Sequence, residues 1–146
     1  AVGRGAPALA IFLGPDAYVT PSWYPTKART GEVVPTWNYV AVHARGPVRF
    51  LDDPDRVLEI VERLTDLHER RRPSPWAVSD APAAYVRAHL AAIVGFELPI
   101  ASLEGKWKAS QNRSPEDRAG VAAGLEREGG PGAALAPIVS GGGRRG

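Results

Sequence analysis

The order of strand-type and helix-type segments constrains the fold of this chain more than any other feature of its sequence. Four runs rich in β-branched and aromatic residues come first, at residues 8–13, 17–23, 33–44 and 48–52. The breaks at residues 14–16 and 45–47 predict turns, the second of them within a hairpin. Strands that precede helices, rather than alternate with them, predict an α+β fold, in which antiparallel strands form a barrel or curled sheet with helices packed against one side.

Capping residues mark where the helices begin. Asp53 and Pro54 are the residue types preferred at the N-cap and at the first helical position, and an apolar stripe follows them. Further helices are predicted over residues 82–94 and 114–128, the last with Ser114 as its N-cap. No glycine-rich phosphate loop follows a strand, and this argues against a doubly wound nucleotide-binding fold.

Composition predicts one domain between two irregular ends. At 146 residues the chain is long enough for a single domain with a buried core. We expect residues 8–128 to form it, because residues 1–7 are rich in Gly and Pro and predicted to be loose, and residues 129–146 are of low complexity and predicted to be disordered. The chain has no Met and opens just before an apolar run, so we expect a further N-terminal portion to precede it.

Charge and residue types argue against several functional classes. The 18 Lys and Arg and 16 Asp and Glu alternate along the chain, so no basic face tracks a nucleic-acid backbone. The absence of Cys excludes disulfides and thiolate metal sites. The three histidines lack metal-ligand spacing and no G-x-S-x-G motif occurs, so we assign no catalytic and no metal-binding residue. No apolar run reaches the length of a membrane span, and we expect a cytoplasmic protein.

Aromatic and polar residues concentrate in two places. The first comprises residues 22–27 and 36–39, and the second comprises residues 104–113, "EGKWKASQNR". A core excludes so many Lys, Asn, Gln and Arg side chains, because each must find hydrogen-bond partners. A flat heterocycle with a phosphate tail would use all of them: aromatic rings stack, amides read the ring edge and cations bind the phosphate. The alternative is a core surrounded by solvated loops.

These residues belong to long runs that resemble the PaiB family of FMN-binding transcriptional regulators. The runs are "IFLGPDAYVTPSWYPTKARTGEVVPTWNYVAVHARGPVRFLDD" and "DAPAAYV…AIVGFELPIASLEGKWKASQNRSPEDRAGV". The resemblance implies a flavin-binding split β-barrel, here a partial one because a further N-terminal segment of the family is absent. It also implies a homodimer with FMN between subunits in a bacterial cytoplasm. The cofactor-binding residues that it implies are Lys27, Thr36, Trp37, Asn38, Lys106, Trp107, Gln111, Asn112 and Arg113.

Three functions remain open from the sequence. The leading one is a flavin-responsive repressor, although DNA contact rests on the resemblance alone, because the chain shows no helix-turn-helix and no basic recognition helix. The second is a flavin-dependent oxidoreductase, in which the flavin carries the chemistry. The third is a fragment without ligand. If flavin binds, we expect one ring of each aromatic pair, Trp23–Tyr24 and Trp37–Tyr39, to face the core and the other to face the flavin or a partner subunit.

Overall fold

A computed structural model describes residues 5–141 of the chain. Along this part, strands and helices occur in the order β1 Pro7–Val19, α1 Thr26–Thr30, β2 Thr36–Pro47, β3 Arg49–Leu51, α2 Pro54–Glu69, α3 Ala83–Leu90, β4 Gly95–Glu97, β5 Ser102–Lys108, α4 Pro115–Glu128 and α5 Ala136–Val139. Short 3-10 turns lie at Pro21–Trp23, Val78–Asp80 and Pro131–Leu135. The predicted α+β class is confirmed. The described strands form one sheet of three and one of two, without a closed barrel, as a partial split barrel requires.

The described residues divide into two compact units. Unit 1 comprises residues 5–8 and 45–101, and unit 2 comprises residues 9–44 and 102–141. The prediction of one domain over residues 8–128 stays a prediction, and each unit is described by itself. Within residues 5–141 no helix is both long enough and apolar enough to cross a membrane.

Unit 1 contains a two-stranded sheet and two helices. β3 and β4 pair antiparallel, with Phe50 opposite Phe96. α2 begins as the sequence predicts, because the Asp53 side chain accepts a hydrogen bond of 2.9 Å from the N–H of Asp55 and Pro54 follows the cap. α2 packs against both strands and against α3.

The predicted hairpin between residues 33–44 and 48–52 is wrong. β2 continues to Pro47, and a single residue, Val48, separates it from β3. One residue is too short to reverse the chain, since the tightest common hairpin loops have two. β3 therefore pairs with β4, while β2 pairs with β1 and β5.

Unit 2 contains the three-stranded sheet in the order β1-β2-β5, and a core in which α4 and α5 take part. The predicted break at residues 14–16 is wrong, because β1 runs without interruption through Gly14 and Pro15. β1 is an edge strand, where a proline can be accommodated without the loss of a ladder hydrogen bond. A Cβ at position 14 would lie 3.2 Å from Cβ of Val40, so the glycine also permits close approach of β2.

The predicted disorder of residues 129–146 is wrong for the part that the structure describes. Residues 131–139 form a 3-10 turn followed by α5, and Leu135 and Val139 are fully buried in the unit 2 core. A hydrogen bond links this segment to α4: Nε of Arg118 donates to the carbonyl oxygen of Val139 at 2.8 Å. A few apolar residues at helical spacing therefore outweigh the Gly, Pro and Ala composition that predicted disorder. Residues 142–146 lie outside the described part.

The predicted loose start at residues 1–7 is described only from residue 5 onward. The N–H of Gly5 donates to the carbonyl oxygen of Val48 at 2.8 Å, and the N–H of Val48 donates to the carbonyl oxygen of Ala6 at 2.9 Å. Residues 5 and 6 are therefore tied to the chain beside β3. Residues 1–4 lie outside the described part.

Candidate functional site

Exposed aromatic rings lie along the sheet of unit 2. Trp37 on β2 is 54% exposed and Trp107 on β5 is 53% exposed, although both are large apolar rings. The edge of Tyr18 meets Trp37, with ring centroids 6.0 Å apart. Trp37 and Tyr39 are two residues apart on one strand and so share a face. Both line an open cavity of about 240 Å³ beside β1, with Leu13, Gly14, Asp16 and Val40.

Two lysines of β5 meet side chains of β2. Nζ of Lys106 lies 5.7 Å from the centroid of the Tyr39 ring, within the range of a cation–π interaction. Nζ of Lys108 donates a hydrogen bond of 2.7 Å to the hydroxyl of Thr36. Lys108 is absent from the residues singled out in the sequence. The alternation Lys-Trp-Lys would have identified it, because residues 106 and 108 of a strand share a face.

Two further cations lie in unit 2, each beside a hydroxyl or an aromatic ring. Nζ of Lys27 donates to the hydroxyl of Ser22 at 3.3 Å. The guanidinium of Arg113 lies 4.7 Å from the centroid of the Tyr24 ring. Pairs of a cation and a hydroxyl, such as Lys108 with Thr36 and Lys27 with Ser22, offer a phosphate both charge and hydrogen bonds.

The two amides predicted to read a ring edge are already hydrogen-bonded inside the protein. Asn38 is fully buried, and its Nδ2 donates to Oγ of Ser110 at 2.9 Å. The Gln111 side chain accepts from the N–H of Ala109 at 2.8 Å and donates to the carbonyl oxygen of Trp107 at 2.6 Å. Both amides therefore shape the turn between β5 and α4. That turn includes Ser110 at a φ of 58°, a left-handed conformation uncommon for serine.

A buried carboxylate joins α1 to α4 and so fixes the start of the helix that carries Lys27. Asp117 of α4 accepts a hydrogen bond of 3.0 Å from the N–H of Thr26. Burial raises the pKa of the Asp117 carboxyl, but the hydrogen bonds from Thr26 and the positive charges of Arg29 and Arg113 outweigh it and hold that pKa below its usual value. An exposed ion pair between Arg29 and Glu116 lies beside this contact.

This carboxylate predicts a component of stability that disappears in acid. The lowered pKa means that the contribution of Asp117 is complete above the usual Asp value of about 3.9 and is lost as the pH falls through the folded-state pKa. We expect Asp117→Asn to destabilise the protein at pH 7 by about 1.5–3 kcal/mol, the scale of a hydrogen bond to a charged group. The deficit against wild type should shrink below pH 3. Urea unfolding at several pH values measures it, with Glu126→Gln as the exposed control on α4; a deficit independent of pH would contradict the assignment.

All nine residues implied by the resemblance lie in unit 2, but they have different surroundings. Thr36, Trp37 and Lys106 are on the sheet, around β2 and β5. Lys27 is on α1, and the remaining positions on or after β5 are Trp107, Gln111, Asn112 and Arg113. Asn112 is exposed in the turn before α4, whereas Asn38 is enclosed. The residues on the sheet, Thr36, Trp37 and Lys106, form the solvent-accessible part of the candidate site. Lys108, Tyr18 and Tyr39 extend this part.

The first aromatic pair differs from what the sequence predicts. Tyr24 belongs to the unit 2 core, and Trp23 packs on α4, where a Cβ at Gly124 would lie 2.2 Å from its indole ring. Both rings therefore pack within unit 2. The prediction also fails for the second pair, because Trp37 and Tyr39 line the same open cavity and neither belongs to the buried core of unit 2. Among residues 5–141, no cluster of three or more His, Asp and Glu side chains could hold a metal ion.

The described side chains of unit 2 thus offer exposed aromatic rings and two lysine–hydroxyl pairs, and the comparisons with known proteins identify the family. Residues 1–102 match the family described as "Putative FMN-binding domain". The chain therefore belongs to this FMN-binding family, and FMN is its cofactor.

Relatives include fungal and bacterial proteins. An uncharacterized protein of Emericella nidulans is 40% identical over 132 residues, which cover 83% of this chain and 53% of the relative. A second, from Aspergillus fumigatus, is 39% identical over 137 residues, covering 83% and 52%. The Bacillus subtilis "Protease synthase and sporulation protein PAI 2" is 34% identical over 125 residues, covering 86% and 58%. The chain thus spans about half the length of the curated relatives it matches, and the predicted resemblance to PaiB proteins is confirmed.

The side chains of unit 2 fit the chemistry of FMN. Its phosphate needs cations and hydroxyl donors, which the lysine–hydroxyl pairs provide, and its ring system needs flat apolar surface, which Trp37 and Tyr39 provide. The cavity of about 240 Å³ is smaller than the roughly 300–1,000 Å³ of typical small-molecule pockets, so by itself it cannot enclose the whole cofactor.

Proposed function

We propose that the sheet face of unit 2 binds FMN and that the protein is a flavin-responsive transcriptional regulator. The observation that carries the binding site is the contact of Lys108 with Thr36 next to the exposed ring of Trp37. In this proposal Lys108 and Thr36 hold the phosphate at the end of the sheet where β2 begins, and Trp37 and Tyr39, with Lys106 over the Tyr39 ring, contact the ring system. The other cations, Lys27 and Arg113, and the exposed Trp107 and Asn112 form the periphery of the site.

Two of the residues act by positioning in this proposal. Asn38 and Gln111 hold the turn that follows β5 through their bonds to Ser110 and to the backbone, and they thereby fix where β5 ends. Bound FMN supplies reversible redox chemistry at its ring system, while the protein binds it, orients it and controls its access to water.

A regulatory role is favoured over an enzymatic one by the relative from Bacillus subtilis. The name of that protein connects it with the synthesis of proteases and with sporulation. The sequence contains no helix-turn-helix and no basic recognition helix, so the proposal does not require direct DNA contact. Regulation through a protein partner is equally compatible with it. The oxidoreductase remains the alternative, because the same cofactor supports it.

We also propose that the regulator is a homodimer with FMN at the subunit interface. β1 is an edge strand that exposes Ile11, Phe12 and Leu13 at 54%, 61% and 78%. A long apolar edge of this kind is a template for association with another chain. A second copy would cover this edge and, beside it, the open cavity lined by Leu13 and Trp37.

Three measurements on the full chain separate regulator from enzyme. Gel filtration with FMN is expected to give a yellow species of dimer size, and capture of genomic fragments or of a partner should depend on flavin. NADH and NADPH oxidation should show no flavin-dependent increase. Steady flavin-dependent oxidation of either nucleotide, without DNA or partner binding, would instead establish the oxidoreductase.

Replacement of Lys108 distinguishes a phosphate anchor from a merely structural lysine. We expect Lys108→Gln to weaken FMN binding about ten-fold, the scale of a lost charge-assisted hydrogen bond, and to leave riboflavin binding unchanged because riboflavin has no phosphate. Flavin fluorescence titration measures both, and Arg127→Gln on α4 is the exposed control. If Lys27→Gln weakens FMN selectively and Lys108→Gln does not, the phosphate lies at the Lys27–Ser22 pair instead. An equal loss for both flavins would contradict a phosphate role for Lys108.

A further inference from the structure

Unit 1 contains a cavity that the FMN proposal does not use. Residues of α2, of α3 and of the 3-10 turn Val78–Asp80 line an open cavity of about 480 Å³. This volume lies within the roughly 300–1,000 Å³ of small-molecule sites, toward the small end. Its apolar wall consists of Leu58, Val78, Val86 and Leu90. The cavity is therefore large enough for a ligand with an apolar body.

Helical spacing places charges of opposite sign on its two walls. Asp55 and Glu62 of α2 line the cavity on either side of Leu58, at positions i, i+3 and i+7 of one helix face. Arg87 of α3 lines it as well. Both sides of the cavity thus carry charge, with the negative wall on α2 and the positive one on α3.

These charges do not neutralise one another. Arg56 forms ion pairs with Glu59 and Glu97, whereas among residues 5–141 neither Asp55 nor Glu62 is within ion-pair distance of Arg87. Arg87 also lines a smaller cavity of about 310 Å³ together with Asp52, Val57 and Ile93, so a second open space, with one carboxylate in its lining, adjoins its side chain. The guanidinium presents donors suited to a carboxylate, and the α2 carboxylates suit an ammonium group.

We propose that this cavity binds a zwitterion with an apolar body, of the size of a dipeptide of apolar amino acids. The ligand carboxylate binds Arg87, the ammonium group binds Glu62 or Asp55, and the apolar side chains lie against Leu58, Val86 and Leu90. The site lies in unit 1, whereas every residue proposed to contact FMN lies in unit 2. The inference therefore stands or fails independently of the flavin.

Three probes with the same apolar body test the charge pattern on the full chain. Isothermal titration with L-leucyl-L-leucine is expected to show saturable binding. Its N-acetyl derivative lacks the ammonium group and its C-terminal amide lacks the carboxylate, and each should bind about three- to five-fold more weakly, the scale of one exposed ion pair. Equal binding of all three probes would overturn a zwitterion site, and so would the absence of any heat from the dipeptide at millimolar concentrations.

Substitutions in the two walls test whether their charged side chains bind the ligand. Arg87→Gln should lower the affinity for the dipeptide to that of its amide, and leave the amide itself unaffected. Glu62→Gln should reduce the preference for the dipeptide over the N-acetyl derivative. Arg63→Gln, exposed on α2 and absent from the cavity lining, is the matched control and should change nothing. An Arg87→Gln protein with unchanged circular dichroism that still distinguishes dipeptide from amide would contradict the assignment of Arg87.

Discussion

Replacement of Leu135 by alanine is expected to lower the free energy of unfolding by about 2–5 kcal/mol, the range for large-to-small changes at closed core positions. Leu135 is fully buried in the unit 2 core, together with Leu125 and Val121 of α4. The 3-10 turn that carries it leads into α5, where Val139 is also fully buried. A cavity at position 135 therefore removes contacts on which α4 and the following segment both depend.

An exposed leucine provides the control. Leu103→Ala on β5 makes the same chemical change at a position that is 64% exposed, and should alter the free energy of unfolding by less than about 1 kcal/mol. Urea unfolding followed by circular dichroism measures both variants. If Leu135→Ala is no more destabilising than Leu103→Ala, residues 131–139 do not contribute to the core and the original prediction of a disordered tail is restored.

Replacement of Trp37 by alanine is expected to weaken FMN binding about ten-fold or more while the fold persists. Stacking of a heterocycle on an aromatic side chain is worth about 1–3 kcal/mol, as measured for nucleic-acid bases. The ring of Trp37 is more than half exposed, and its described ring contact is the edge-to-face pair with Tyr18, worth about 1 kcal/mol. Affinity should thus fall by more than stability does.

Two controls test whether the loss of FMN affinity comes from stacking on Trp37: riboflavin as a second ligand, and a variant of a second tryptophan. Because the ring system is common to both flavins, Trp37→Ala should weaken riboflavin and FMN to the same extent, unlike Lys108→Gln. Trp76→Ala removes a similarly exposed ring from unit 1, outside the proposed site, and should leave both affinities unchanged. Wild-type affinity in a folded Trp37→Ala protein would remove Trp37 from the site.

Local sequence signals predicted where α2 and α4 begin, although they missed α1 and α5, and they predicted the pairing of the strands less well. The cap side chains of Asp53 and Ser114 accept hydrogen bonds from backbone N–H groups two and three residues further along, so α2 and α4 begin where predicted. Strand pairing depends on residues far along the chain. The uninterrupted course of β1 through Pro15 depends on its place at the sheet edge, which is unknown until the partner strand is known.

The same distinction applies to the candidate site. Residue types alone pointed to an aromatic and cationic cluster, and Trp37 and Lys106 are indeed on an open part of the sheet. They did not reveal that Asn38 is fully buried against Ser110, because that contact joins residues 72 positions apart. Lys108 was within reach of sequence reasoning, through strand alternation, and its contact with Thr36 needed the register of β2 and β5.

The most direct test of the account is gel filtration of the full chain with added FMN, recorded at flavin wavelengths for wild type and for the Trp37→Ala, Lys108→Gln double variant. The account predicts that FMN co-elutes with the wild-type protein and is lost from a double variant that keeps its circular dichroism and elution volume. Co-elution of FMN with both proteins to the same extent, or with neither, would contradict a flavin site on the sheet of unit 2.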